Sequence, residues 1–246
     1  MGHSTYLVIN VLTILFPLLL SFDKKVHFIS HLPHVIVGIV LAAAVFIPWD
    51  MAFAAMKIWG FNRDYNMGIY LGNMPIEEYL FFITVPYSCV FIYACVKVYL
   101  HKFSLRGFHY VITSGLMIGL FFLMIASLDQ TYTAISSAFL ILLLGFQLIN
   151  TKRYMGWFFI AFTICLIPFF IVNGILTSLP VIWYNNQATL GIRIGTIPVE
   201  DFIYNGGLLL LAIMGYEWSN RKFFKLKKST IDQAEAAMDA AAQQTS

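Results

Sequence analysis

Seven long stretches almost free of charge divide this chain, at roughly 5–21, 33–56, 76–97, 108–128, 132–149, 155–176 and 200–217. Each is close to the ~20 apolar residues that a helix needs to cross a hydrocarbon core of about 30 Å. In lipid every backbone N–H and C=O must find a partner within the protein, so runs of this length read as helices. Charged residues are only 11% of the sequence and hydrophobic residues 60%, which excludes an ordinary soluble domain with its roughly one-quarter charged residues. The fold class read from this is an all-α integral membrane protein with seven transmembrane helices. Pro48 is expected to bend or break the second helix, whereas Pro168 in the sixth is of the kind a packed membrane helix tolerates. The first span is expected to stay as a helix. No Lys or Arg lies within residues 1–5, and no small-residue cleavage site precedes Asp23, so it does not read as a cleaved signal. Cys89, Cys95 and Cys165 all fall inside spans and read as small core hydrophobes.

Basic residues in the loops set the orientation. With the N-terminus outside, Lys24, Lys25, Lys97, Lys102, Arg106, Lys152, Arg153 and the basic tail lie inside, and only Lys57, Arg63 and Arg193 lie outside. An outside N-terminus and a cytoplasmic C-terminus follow, in the inner (plasma) membrane of the cell. Beyond Trp218 the segment Arg221–Lys228 reads as a basic stretch against anionic headgroups. Thr230 and Gln233 then read as a capping box opening an Ala-rich helix that runs to about Gln243.

A motif recurs within this framework. Gly68-Ile-Tyr-Leu-Gly72-Asn-Met-Pro75-Ile-Glu77-Glu78 is echoed by Gly191-Ile-Arg-Ile-Gly195-Thr-Ile-Pro198-Val-Glu200-Asp201 at a constant offset of 123 residues. Upstream, Ile58-Trp59-Gly-Phe-Asn62 matches Ile182-Trp183-Tyr-Asn-Asn186, with one gap between. An even number of helices separates the copies, so they are parallel repeats with both motifs on the outer side. A 3+1+3 bundle results: a first half at 1–105, a connector helix at 106–131, a second half at 132–220 and a tail at 221–246.

Acids after a proline have a bland explanation, since proline favours the first helical position and carboxylates there complement the helix dipole by about 0.3–1 kcal/mol. That accounts for one copy more easily than for two. Each pair runs at once into apolar and aromatic residues, Tyr79 to Phe82 in the first copy and Phe202, Ile203, Tyr204 and Asn205 in the second. Neighbours on a helix point about 100° apart, so at most one acid of each pair faces the bundle centre squarely. The other is expected to share a proton with it or to reach a loop amide such as Asn62 or Asn186. Burial and like-charge proximity favour the protonated carboxyl, and an acid kept protonated in an apolar site is a proton donor. Asp50, within the second span after Trp49, is a further functional candidate because intramembrane acids are costly; the alternative is a polar lock on carbonyls freed by Pro48.

Other chemistries lack their signatures. No Gly-x-Gly-x-x-Gly fingerprint, phosphate loop or Gly-x-Ser-x-Gly elbow is present, and nothing suggests nucleic acid. His27, His31 and His34 have helical spacing but no convincing fourth ligand, so no metal is read. The seventh span carries no Lys for a retinal Schiff base.

The two Pro-x-Glu-(Glu/Asp) motifs, with Phe46-Ile-Pro48-Trp49-Asp50 and Ile58–Asn62 before them, resemble the membrane lycopene cyclases of the heterodimer and fused type over roughly residues 1–220. The resemblance implies a lycopene β-cyclase without a cofactor, acting on lycopene or a related linear carotenoid among the membrane lipids. It implies protonation of the terminal isoprene, ring closure through a carbocation and loss of a proton, giving β-ionone rings and β-carotene with no net redox change. Glu77 or Glu200 is expected as donor, with Glu78 or Asp201 as proton partner or acceptor. Trp49, Tyr79, Phe82, Phe202 and Tyr204 are expected to face the cation or the substrate, together with Asn62, Asn186 and Asn205. A homo-oligomer is left open. The alternatives are an ε-, γ- or C50-carotenoid cyclase, a carotenoid hydratase and, from another class, a proton-coupled transporter.

Overall fold

A computed structural model describes residues 2–103, 105, 107–150 and 154–244, with the backbone alone for 223–244. Among the described residues the chain forms seven α-helices: α1 (Thr5–Leu20), α2 (Leu32–Ala55), α3 (Ile76–Tyr99), α4 (Phe108–Ala126), α5 (Thr131–Ile149), α6 (Met155–Ser178) and α7 (Val199–Gln244). Five helical segments, Phe28–Ala55, Ile76–Tyr99, Phe108–Ala126, Thr131–Ile149 and Met155–Ser178, are long and apolar enough to cross a membrane, and α1 is a shorter apolar helix. Side chains such as Phe16, Val111, Phe122, Leu142 and Ile167 are exposed on their outer faces. Apolar surface of that extent suits lipid, not water. The protein is a multi-pass helical membrane protein.

Of the bend or break expected at Pro48, the break is corrected: Pro48 lies within an unbroken α2. A second expectation is also corrected. The tail does not begin a new helix at Thr230, because α7 runs without interruption from Val199 to Gln244. A residue with helical neighbours on both sides is not an N-cap, and the capping-box reading fails there.

Six short strands were not expected. β1 (Trp59–Phe61) follows α2 and β4 (Ile182–Tyr184) follows α6; β2 (Tyr70–Leu71) and β3 (Met74–Pro75) lead into α3, as β5 (Arg193–Ile194) and β6 (Ile197–Pro198) lead into α7. The hairpins match each other, with Tyr70 opposite Pro75 and Arg193 opposite Pro198. The longer loop strands pair across the halves: β1 and β4 are antiparallel, with Trp59 opposite Tyr184 and Gly60 opposite Trp183. Under the sequence correspondence of Trp59 with Trp183, these two pairings exchange with one another. The loops therefore meet about a local twofold axis.

Helix packing follows the same correspondence. α1 lies along α3 and α5 along α7, while α2 packs on α7 and α6 on α3. Where α2 crosses α7, Gly38 sits against the Ala212 carbonyl, and a Cβ at Gly215 would stand 2.8 Å from the Gly38 Cα. Two glycines thus let the backbones approach as membrane helices do at small-residue crossings. Further along the same helix pair, the Trp49 ring stands against Tyr204 and Asp50 accepts the Tyr204 hydroxyl.

At the other end of α7, Glu217 is buried and receives the Lys97 ammonium at 2.5 Å and the Tyr93 hydroxyl at 2.7 Å. Arg221 stands 3.5 Å away. Removing one partner of a buried pair costs about 3–5 kcal/mol because the remaining charge is left uncompensated. Lys97→Met is expected to cost about 3 kcal/mol, the lower end of that range, since Arg221 remains. Thermal unfolding in detergent should show a drop of several degrees; an unchanged midpoint would mean that Glu217 does not depend on Lys97.

Candidate active site

In both acid pairs the first acid is held by the loop before it and the second points inward. Each hairpin turn needs left-handed backbone at its glycine, Gly72 at φ 65° and Gly195 at φ 64°, and the bend before each hairpin needs it at Gly68, φ 76°, and Gly191, φ 72°. These are conformations that only glycine adopts without strain. The turn brings the backbone N–H of Met67 to Glu77 Oε1 at 2.7 Å, and that of Leu190 to Glu200 Oε1 at 2.7 Å. Thr133 also donates to Glu200 Oε1 at 2.7 Å. Both side chains are buried, and the second oxygen of each finds no partner among the described residues. The first acid of each pair thus ties its helix start to the loop before it.

Glutamine at position 77 keeps the accepting oxygen, so Glu77→Gln is expected to retain the hairpin and most activity. Glu77→Ala leaves the buried Met67 N–H unpaired and should cost about 1–3 kcal/mol. Thermal unfolding and activity of the two variants side by side would check this; comparable loss of activity in both, at unchanged stability, would give Glu77 a chemical part.

The second acid of each pair points inward. Glu78 Oε2 accepts the Tyr6 hydroxyl at 2.5 Å, and the Glu78 carboxyl stands beside that of Asp50 on the same cavity. Asp50 Oδ1 accepts the Tyr204 hydroxyl at 2.5 Å. Glu78 and Asp50 are thus neighbouring buried carboxyls with a tyrosine on each flank, an arrangement that favours a proton shared between them. Asp201 is built differently: its Oδ1 accepts from Tyr132 at 2.8 Å and its Oδ2 from Tyr184 at 2.9 Å. Both oxygens are satisfied by O–H donors, the arrangement that suits an ionised carboxylate. Burial and the Asp201 charge push the Tyr184 phenol well above its ordinary value, so it remains a donor.

All three acids line one small cavity of about 50 Å³, with Trp59, Phe61, Phe81, Tyr132, Phe169, Tyr184, Tyr204 and Asn205 among its walls. The rings around it stack closely. Tyr204 lies 4.8 Å from Phe46 and 5.6 Å from Trp49, and Trp59 lies 5.0 Å from Tyr132.

The expected site residues sort by position. Asp50, Glu78, Asp201, Tyr204 and Asn205 line the cavity. Trp49 stands behind Tyr204, and Phe82 is buried against Phe46 and Phe81. Glu77 and Glu200 are held by the loops. Three expectations about neighbours are corrected. Asn62 accepts from the Asp64 N–H and Asn186 from the Arg193 guanidinium, so neither reaches an acid. Tyr79 donates to the Leu71 carbonyl, on the hairpin and away from the cavity. Phe202 packs on Phe169 and Phe170. The tyrosine donors Tyr6, Tyr132 and Tyr184 were not foreseen. A signal existed for two of them: Thr5-Tyr6 and Thr131-Tyr132 begin α1 and α5 with the same dipeptide.

The model of the lycopene cyclase family matches residues 3–96 and 129–219. The two matched segments contain α1, α2 and α3 up to residue 96, and α5, α6 and α7 up to residue 219, and leave α4 outside. No curated protein and no solved structure matches the chain. The match covers most of the sequence, and the chain belongs to the lycopene cyclase family. It is a membrane enzyme of the carotenoid cyclase type.

Proposed function

We propose that this family member is a lycopene β-cyclase in which the Asp50–Glu78 dyad donates the proton and Asp201 receives one. The observation that carries the reading is the asymmetry of the three acids around one cavity: two neighbouring carboxyls with one phenol each, and a third carboxyl held by two phenols. The donor is placed on the second acid of the first motif and not on Glu77, because Glu77 spends its oriented oxygen on the Met67 N–H.

The reaction then runs without redox change. The dyad delivers its proton to C2 of the terminal isoprene and leaves a cation at C1. The C5=C6 π pair forms the C1–C6 bond, moving the positive charge to C5. Asp201 takes the proton from C6, and that C–H pair becomes the ring double bond. One proton enters and one leaves, so the product is an isomer of the substrate. The tyrosine and tryptophan faces around the cavity stabilise the passing cation by about 0.5–2 kcal/mol each. Water is kept scarce by the aromatic walls, which prevents capture of the cation as an alcohol.

In this reading all seven helices cross the inner membrane in a 3+1+3 arrangement, with the N-terminus outside and the acids near the outer face. Both motifs serve one composite site. The test is expression in a bacterium that accumulates lycopene, followed by chromatography of its pigments. β-Carotene is the expected product. Unchanged lycopene in cells that hold the folded protein would overturn the cyclase reading, and ε- or γ-rings would overturn the placement of the C6 base.

A further inference from the structure

A second, larger cavity of about 390 Å³ lies between α1, α3 and α6. Its walls are mainly apolar, with Leu12 and Phe16 on α1, Val85 and Ile92 on α3, and Ile171 and Val172 on α6. Phe81, Phe169, Asn173 and Asn205 line this cavity and the acid cavity alike, so the two adjoin and these four side chains stand at their junction. From Phe81 to Ile92 the groove follows α3 for about 16 Å at the helical rise of 1.5 Å per residue. That is roughly half of a ~30 Å hydrocarbon core. Its outer rim is open to lipid, since Leu12, Phe16 and Ile171 are exposed.

The other half of the molecule has this place filled. By the offset that relates Tyr6 to Tyr132, Phe139 of α5 corresponds to Thr13 of α1, which lines the groove. Phe139 packs edge-on against Phe46 at 5.4 Å and Trp49 at 5.1 Å. It also covers Gly207, where a Cβ would meet its ring at 3.1 Å. The duplication therefore keeps a groove on one side and an aromatic plug on the other.

From this we infer that the groove between α1, α3 and α6 seats the unreacted remainder of the linear polyene, extended, while one end stands among the acids. The inference rests on the cyclase reading and adds the path of the chain. An alkene end accepts a proton from the dyad, whereas the saturated end of a lipid acyl chain has no π pair to accept it. That favours the polyene over a lipid as occupant. Because the acids of both motifs stand around the same cavity, the two ends of the substrate react in separate visits, and the half-cyclised chain leaves and re-enters reversed.

The test uses the full-length protein in vesicles loaded with lycopene. Thr13→Phe and Ser88→Phe place an aromatic plug in the groove, and Val11→Phe puts the same bulk on the exposed side of α1. Both plugs are expected to slow lycopene cyclisation tenfold or more, with Val11→Phe close to wild type. A second measurement avoids misfolding: with Cys89, Cys95 and Cys165 replaced by alanine, Phe16→Cys labelled after folding with a bulky maleimide should turn over at least tenfold more slowly than the same variant before labelling, while Val11→Cys turns over alike with and without the label. Plugged and labelled proteins that cyclise lycopene at the wild-type rate would overturn the groove and leave the cyclase reading standing. Wild-type protein that leaves lycopene unchanged would instead overturn the cyclase reading. Bicyclic product formed from the outset, with no monocyclic product when lycopene is in excess, would overturn the separate visits.

Discussion

Glu78→Gln is expected to stop ring closure at both ends of lycopene. General acid catalysis by a positioned side chain contributes typically 10²–10⁴-fold, which corresponds to about 3–5 kcal/mol of barrier at 1.36 kcal/mol per tenfold. Glutamine keeps the size of the side chain and an oxygen for the Tyr6 hydroxyl, so the fold should survive. It has no acidic proton, and its amide donates to Asp50 and leaves that carboxyl as an anion. The dyad is then discharged. In a lycopene-accumulating host the variant should keep lycopene, with no enrichment of a monocyclic product. That last point separates one composite site from two independent ones, because a molecule with a separate site in the second half would still close rings there. Activity near the wild-type level in folded Glu78→Gln would place the donor elsewhere, with Glu77 and its unpartnered oxygen the next to examine.

The helices were legible because membrane physics leaves few options. Each apolar run had to become a helix, and the motif at Gly68–Glu78 and Gly191–Asp201 declared the duplication. The hairpins were half legible: paired glycines announced tight turns, but the strands are two residues long and too short for alternation to register. Role within each acid pair was not legible. Glu77 and Glu78 are neighbours of nearly the same kind, and what separates them is a helical step of about 100°. One turns to the Met67 N–H and the other to Tyr6, and both partners lie outside the motif. Asn62 and Asn186 misled for a related reason. Loop amides beside acids suggest a hydrogen bond, but each finds a nearer partner in its own loop. The cross-chain pairing of β1 with β4, which brings Tyr184 over Asp201, depends on a twofold arrangement that no local pattern encodes.

Asp201→Asn should fail later in the reaction than Glu78→Gln, and the difference can be measured. Asparagine offers one accepting oxygen where the carboxylate offered two, so only one of Tyr132 and Tyr184 keeps its bond. The Asp50–Glu78 dyad is untouched and still protonates the terminal alkene. What is missing is the base for the C6 proton, and a loss of about 10²–10⁴-fold in β-carotene formation is expected on the same grounds as for the donor. The stranded cation has a way back, since loss of a proton from C2 regenerates the starting alkene. In deuterated water that return leaves deuterium at C2, because either hydrogen on that carbon can depart. Lycopene recovered from Asp201→Asn should therefore carry deuterium at its termini, while lycopene recovered from Glu78→Gln should carry none. Mass spectrometry of the recovered pigment reads the contrast directly. Deuterium in the Glu78→Gln sample and none in the Asp201→Asn sample would exchange the roles of the two acids. The effect of Tyr184→Phe fixes the scale: it removes one of two phenol bonds to Asp201 and leaves the base in place, so a fall of about tenfold is expected, matching the lower end of the ~1.5–3 kcal/mol worth of a hydrogen bond to a charged group.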